Sequence, residues 1–384
     1  MKKVNLKKSK GATYYIKGRS IPKGCKYCLK GSKVVLFLNG ICQNPYHCSW
    51  YCPISEERRG KNLTFADEIE IRTKEELLQE IFIIKAEGMS ITGGEPLSEA
   101  NFEKTVEYIK FIKAKKGKKF HIHLYTNGID FNESKAEILS LAGLDEIRFH
   151  PAKEHWSHIE IALNKKFSVG VEVPVIPNKV YEEYLEELIF YLENIGADFI
   201  NLNEFEYCFP NSQELKERGF QLRKNTIASV LNSHETAFDL INKIASQVSI
   251  KMHFCTIKSK DHYQLKNRYL RRAKSIKLPY EVITEEGLLV FGQVEGEKKD
   301  LDNIFKYLIS ELKISEELIS YDLKNIKIPF YISLEDQIID LLEKNQLEIY
   351  IVEITPFRDS KYQQITEKTP IKVFKEEYGF VKNK

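Results

Sequence analysis

Apolar residues recur along the first half of the chain in two alternating periods. Val34-Val-Leu-Phe-Leu38 is a continuous apolar run that ends in Asn39-Gly40 and predicts a buried strand. Thr73-Lys-Glu-Glu76 has capping-box spacing, and Leu77, Leu78, Ile81 and Ile84 continue at helical intervals until Gly88. Met89-Ser-Ile-Thr92 is a second short strand, turned by Gly93-Gly94-Glu95-Pro96. A helix is expected over 101–115. A strand over 120–125 follows, closed by Thr126-Asn127-Gly128. Then come a helix over 134–142, a strand over 146–149 leading to His150-Pro151, a helix over 154–165 and a strand over 167–175. A helix over 180–194 stops at Gly196, and Phe199-Ile-Asn-Leu202 is the sixth strand.

Six strand–helix alternations imply parallel strands with right-handed crossovers, in a doubly wound sheet or an incomplete (βα)6 barrel. In both, functional groups collect at the C-terminal strand ends. The segment 34–38 leads into a cysteine-rich loop. Gly93-Gly94-Glu95, Asn127, Arg148, His150 and Asn203 follow or lie at the other strand ends.

Beyond residue 203 the rhythm breaks. Residues 204–232 are irregular and polar, 234–247 look helical, and 248–254 look like a strand ending at Cys255. A basic helix over 262–277 carries Lys266, Arg268, Arg271, Arg272, Lys274 and Lys277 before Pro279. Its default reading is a solvated face; the functional one is a docking surface for an RNA, an acidic protein or a phosphorylated substrate. A hairpin about Glu286-Gly287, helices over 301–312 and 334–344 and a strand over 347–354 make a small α+β accessory domain. The expected organisation is an N-terminal extension (1–32), a core (33–203), an irregular and helical extension (204–279) and the accessory domain (280–384).

Composition narrows the classes. Of 384 residues, 42% are hydrophobic and 29% charged, which suits a folded globular chain. No apolar run reaches membrane-spanning length, and the basic start (Met1 to Lys10) has no apolar stretch behind it. A cytoplasmic protein with no membrane partner is expected. A net charge of +3 is too weak to argue for nucleic acid.

The seven cysteines change the picture. They are Cys25, Cys28, Cys42, Cys48, Cys52, Cys208 and Cys255, an odd number with five inside 25–52. Clustered thiols of this kind suit a metal or a cluster better than disulfides. Cys25-Lys-Tyr-Cys28 is a CxxC knuckle. Cys42, Cys48 and Cys52 form a Cx5Cx3C loop; three thiolates there leave one iron of a 4Fe-4S cluster open to an outside ligand. A structural zinc site using Cys25, Cys28 and two loop cysteines is the alternative. A second four-thiolate site from Cys25, Cys28, Cys208 and Cys255 would hold zinc or an auxiliary iron–sulfur cluster, unless these are simply small buried side chains.

A three-cysteine loop after the first strand, with Gly-Gly-Glu-Pro after the second, resembles the radical S-adenosylmethionine (SAM) superfamily. The usual spacing there is Cx3Cx2C; both gaps are longer here, and Tyr51 keeps the aromatic position before the third cysteine. Ile21-Pro-Lys-Gly-Cys-Lys-Tyr-Cys-Leu-Lys-Gly31, and His253-Phe-Cys255 ahead of the basic helix, are similar to the group related to pyruvate formate-lyase activating enzymes.

The resemblance implies a partial (βα)6 TIM-like barrel and an iron–sulfur oxidoreductase. Cys42, Cys48 and Cys52 would ligate a 4Fe-4S cluster whose open iron takes the amino and carboxylate groups of SAM. The Tyr51 backbone and Val175, within Val173-Pro-Val-Ile176, would flank adenine. Gly93, Gly94, Glu95 and Pro96 would receive the SAM amino group, Asn127 the ribose, and Arg148 or His150 the carboxylate. An external reductant of the ferredoxin or flavodoxin kind would drive SAM cleavage to a 5′-deoxyadenosyl radical. The substrate is unidentified: a protein is favoured, an RNA or small molecule is the alternative, and a non-enzymatic zinc-stabilised binding protein is the contrasting class.

Overall fold

The computed structural model describes residues 6–43 and 46–379, so the start of the basic N-terminal stretch and Asn44-Pro45 of the cysteine loop fall outside it. The chain divides into two compact units, Met1–Leu265 and Lys266–Lys384.

The first unit is built on one mixed sheet. In chain order its strands are β1 (Leu6–Lys8), β2 (Tyr14–Ile16), β3 (Lys33–Phe37), β4 (Thr64–Ala66), β5 (Ile69–Ile71), β6 (Gly88–Thr92), β7 (His121–Thr126), β8 (Glu146–Phe149), β9 (Ser168–Val175), β10 (Phe199–Glu204) and β11 (Lys251–Cys255). They lie in the order β1-β2-β11-β10-β9-β8-β7-β6-β3-β4-β5. From β3 across to β11 every neighbour pair is parallel. Antiparallel strands β4–β5 and β1–β2 flank that stretch. This is the partial TIM-like barrel expected, extended by a seventh parallel strand. Its sequence, Lys251-Met-His-Phe-Cys255, reads as a strand by itself, but nothing local places it beside β10.

The crossovers are α2 (Lys74–Ile83), α3 (Phe102–Lys116), α4 (Glu133–Ala142), α5 (Ser157–Leu163), α6 (Lys179–Ile195) and α8 (Ser233–Ile244); α1 (Lys23–Leu29) precedes the barrel and α7 (Ser212–Glu217) lies between α6 and α8. The Thr73–Glu76 capping box forms as read, each side chain meeting the other residue's backbone N–H. Strand side chains alternate between two faces. Leu36, Ile91, Leu124, Ile147, Val171, Leu202 and Phe254 point outward into the apolar layer beneath the helices. The opposite positions form a polar interior: Lys33, Ser90, His123, Tyr125, Glu146, Arg148, Glu172, Asn201, Asn203 and His253. α1 lies at its lower end, where Tyr27 packs beside His121 and a Cβ on Gly24 would sit 2.6 Å from the His123 ring and the Arg148 guanidinium.

The second unit is α+β. A π-helical turn at Lys260–Leu265 closes the first unit, and a helix over Lys266–Ile276 opens the second. Its sheet has six strands: five in the order Ser320–Tyr321, Asn325–Ile328, Leu289–Glu295, Glu348–Ile354, Ile365–Pro370, with Val282–Ile283 also paired to Leu289–Glu295. Leu301, Ile304, Leu308, Ile338 and Leu342 from two helices pack on it. Gly287 turns the hairpin with φ +85°. The basic helix is not a uniform solvated face. Arg272 is 5% exposed, donates to the Pro356 carbonyl at 2.7 Å and lies over the Phe357 ring.

Candidate active site

The strand ends of β3 and β6 are laced together. The Gly94 amide donates to the Asn39 carbonyl at 2.6 Å and the Glu95 amide to the Ile41 carbonyl at 2.9 Å, so the chain entering the cysteine loop runs beside Gly93-Gly94-Glu95. A Cβ on Gly94 would fall 2.0 Å from the Ile41 carbonyl oxygen, and one on Gly93, at φ +129°, 2.4 Å from that of Asn39. Close backbone approach thus requires both glycines. Asn39 and Asn101 side chains bond each other, and Asn101 also donates to the Ile41 and Glu95 carbonyls.

Glu95 is buried. Its carboxylate accepts from the Leu97 and Asn127 amides and from the Thr126 hydroxyl, at 2.9, 2.7 and 2.7 Å. Burial still pushes its pKa up to about 7, against those bonds. Asn127 turns Oδ1 onto the Ile129 amide.

The far end of the cysteine loop is fixed from several sides. Arg59 donates to the Cys52 and Ile54 carbonyls. Asn211 accepts from the Cys208 amide and donates to the Tyr51 and Glu206 carbonyls, both at 3.0 Å. Trp50 inserts among Tyr51, Tyr181, Phe205 and Phe220. The Tyr51 hydroxyl meets His150 Nε2 at 2.8 Å, and His150 Nδ1 meets the Glu172 carbonyl at 2.9 Å. The carbonyl only accepts, which puts the proton on Nδ1 and makes Nε2 the acceptor from Tyr51.

These elements surround one cavity of about 430 Å³. Cys42, Cys48, Cys52, Tyr51, Gly93, Gly94, Glu95, Asn127 and His150 all line it. Burial pushes the Cys42 and Cys48 thiols up to about 12, so in the bare chain both are protonated at neutral pH. Among the described residues no three of His, Cys, Asp or Glu are arranged to hold a single metal ion. Thiolates that each take a different iron of a cluster need not meet at one point. A soft thiolate donor set on a partly enclosed cavity fits an iron–sulfur cluster.

Other expected site residues lie elsewhere. Pro96 does not line the cavity. Val175 faces the apolar layer, where Pro174 lines the cavity in its place. Arg148 is 2% exposed and absent from the lining; its guanidinium is paired with Glu146 and, at 2.6 Å, with Glu172. Burial, the largest single effect, would raise both carboxyls, but the Arg148 charge together with hydrogen bonds from His121 to Glu146 and from Asn203 and Asn201 to Glu172 holds each down to about 2. His253 is held down to about 4 and His123 well below its ordinary value, both chiefly by burial, so these two imidazoles are neutral.

The remaining cysteines do not line this cavity. Cys25 receives hydrogen bonds from Asn201 at 3.2 Å and Arg148 at 3.5 Å. Cys28 and Cys255 are bridged by the Gln264 amide. Cys208 sits by Glu206 and within the field of Cys52; among the described residues no three of the four thiols expected to share a second site are arranged to hold one metal ion.

The radical SAM superfamily model matches residues 16–192. A Methanocaldococcus jannaschii protein, provisionally named a glycyl-radical enzyme activating enzyme, is 38% identical over 356 residues, 88% of this chain and 91% of that protein. The chain is a radical SAM protein. It is therefore an enzyme that works with a 4Fe-4S cluster and SAM. Among solved structures, Streptococcus suis SuiB bound to SAM matches this radical SAM chain at 11% identity and TM-score 0.38, over 59% of this chain and 50% of SuiB. The methyltransferase TsrM from Kitasatospora setae matches at 12% and 0.36, over 71% and 59%. The radical SAM chain thus spans about half the length of SuiB; both are distant likenesses. Among the described residues no helix is long and apolar enough to cross a membrane.

Proposed function

We propose that this radical SAM enzyme holds its cluster on Cys42, Cys48 and Cys52 and installs a radical on a partner protein. The observation that carries the site assignment is the shared cavity, where three thiols and the Gly93-Gly94-Glu95 turn face one another. The protein-substrate reading is supported by the printed name of the M. jannaschii relative.

When bound, the cluster and SAM supply one-electron cleavage of a carbon–sulfur bond and a 5′-deoxyadenosyl radical. The chain's own residues position and shield that chemistry. Cys42, Cys48 and Cys52 lose their protons on loading. Gly93 and Gly94 bring backbone close, and Glu95, pinned by three donors, offers a fixed acceptor to the SAM ammonium. Asn127 keeps its Nδ2 for the ribose, because Oδ1 is already taken. The Tyr51 backbone and Pro174, both lining the cavity, would flank the adenine. Trp50, Tyr51, Phe205 and Phe220 exclude water from the loop's outer side. Arg148, committed to Glu146 and Glu172, shapes the interior rather than meeting SAM. The electron comes from an outside donor of the ferredoxin or flavodoxin kind, in a cytoplasmic setting.

The test is anaerobic reconstitution, reduction, and measurement of 5′-deoxyadenosine formed from SAM. The expected protein is brown, and serine at Cys42, Cys48 or Cys52 abolishes both the colour and the product. Reconstituted enzyme given extract from cells grown on deuterated glycine should place deuterium in 5′-deoxyadenosine with the macromolecular fraction. Labelling only with the small-molecule fraction would overturn the protein reading and leave the SAM chemistry standing.

A further inference from the structure

The floor of the cavity holds polar donors that, among the described residues, no acceptor meets. Lys33, the first residue of β3, lines it and is 7% exposed. Among the described residues its ammonium has no hydrogen-bond or ion-pair partner. Glu172 lies near enough for the Lys33 charge to lower it, yet its oxygens receive Arg148, Asn201 and Asn203. Ser90, two residues along the same face of β6 from Gly88, the register partner of Lys33, is 1% exposed, and its hydroxyl lacks a partner while lining the same cavity. Tyr125 also lines it; its hydroxyl accepts from Arg148 at 3.1 Å, which leaves its own proton to give. His123, beneath them, is neutral and has no partner at either ring nitrogen.

A buried ammonium that no acceptor hydrogen-bonds lowers stability even with the Glu172 carboxylate in its field, and an unpaired buried hydroxyl adds to that loss. Three donors on one cavity wall without an acceptor match an oxyanion. We propose that Lys33, Ser90 and Tyr125 form a carboxylate subsite, and that the substrate enters with a carboxylate group close to the carbon that loses hydrogen. That carboxylate belongs to a free organic acid or to a peptide. The inference rests on the reading of this cavity as the radical site, but its tests require no turnover.

The first test is thermal unfolding of the metal-free chain. Lys33→Met should raise Tm by about 2 °C or more, as removal of functional strain does, and Lys33→Arg should not. An unchanged or lower Tm for Lys33→Met overturns the proposal, because Lys33 would then be paired within the fold. The second test measures ligand-induced Tm shifts at constant ionic strength. Sodium propionate and the capped peptide Gly-Glu-Gly are compared with propionamide and capped Gly-Gln-Gly. At least one acid should stabilise the wild type over its amide, and Lys33→Met should lose that difference; the acid that acts identifies the source. Equal shifts from acid and amide, shifts that survive Lys33→Met, or no shift from either acid overturn it. So does a SAM-induced shift that vanishes in Lys33→Met, which would give the cation to the SAM carboxylate. Absence of SAM cleavage by reconstituted enzyme would instead sink the radical reading and leave these binding results intact.

Discussion

At the residue scale, the site depends on backbone contacts that admit no side chain. Gly94→Ala forces a Cβ into the Ile41 carbonyl, and backbone can yield only by moving the cysteine loop. The expected result is iron content below a tenth of wild type after reconstitution, against a chain that still folds by circular dichroism. Asn211→Ala removes the side-chain bonds to the Cys208 amide and to the Tyr51 and Glu206 carbonyls. Leaving such buried groups unpaired should destabilise the chain by about 1–3 kcal/mol in urea unfolding, with weakened SAM binding. Glu95 sets a pH dependence. Its pKa rises from 4.5 to about 7 in the folded chain, so its contribution to stability is full below pH 4.5 and is lost as pH climbs through about 7. Glu95→Gln should remove that slope from the unfolding free energy of the metal-free chain measured across this range. Glu146 and Glu172 have the opposite sign: their contribution is present above pH 4.5 and disappears only as pH falls through about 2.

At the scale of elements, local signals carried most of the secondary structure. The capping box ahead of α2 needs only four residues and forms as spaced, so Thr73→Ala should lower stability by about 1 kcal/mol, read from the denaturant midpoint. Outward-facing apolar residues on each strand made the alternation of strand and helix legible. The inner face was not legible. His123, Glu146, Arg148, Glu172, Asn201 and His253 look like unrelated polar interruptions along the chain, and only the closing of parallel strands makes them neighbours. That is why Arg148, at a strand end, reads as a ligand partner and turns out to be held by two carboxylates. Val175 differs for a simpler reason: strand parity puts Pro174, not its neighbour, on the cavity side. Asn211 escaped notice because its bond to Tyr51 spans 160 residues, and α1 because Arg148, His121 and His123 lie on strands far along the chain. A steric test applies to α1. Gly24→Ala places a methyl 2.6 Å from His123 and Arg148, and overpacking there should destabilise by about 1–3 kcal/mol, visible in thermal unfolding.

At the scale of the molecule, cofactor and ligand binding should register in the unit that holds the cavity. The two units have separate apolar cores. SAM added to the anaerobic, cluster-loaded enzyme at about a hundred times its dissociation constant should stabilise the first unit by about 2.7 kcal/mol. Calorimetry of the whole chain should therefore show a SAM-dependent transition and one that SAM leaves in place. A transition that shifts as a single peak would mean that the units unfold together. The cysteine spacing and the Gly-Gly-Glu-Pro turn were enough to point to this cavity from sequence, whereas its floor and the bridging of Cys28 to Cys255 by Gln264 needed the fold.

The barrel keeps its two faces chemically distinct, oil outside and ions within. Evolution can therefore rewrite the lumen by exchanging charges such as Lys33 while the greasy shell that holds the strands in register goes untouched. Descendants of one such scaffold would keep their shape and differ in diet.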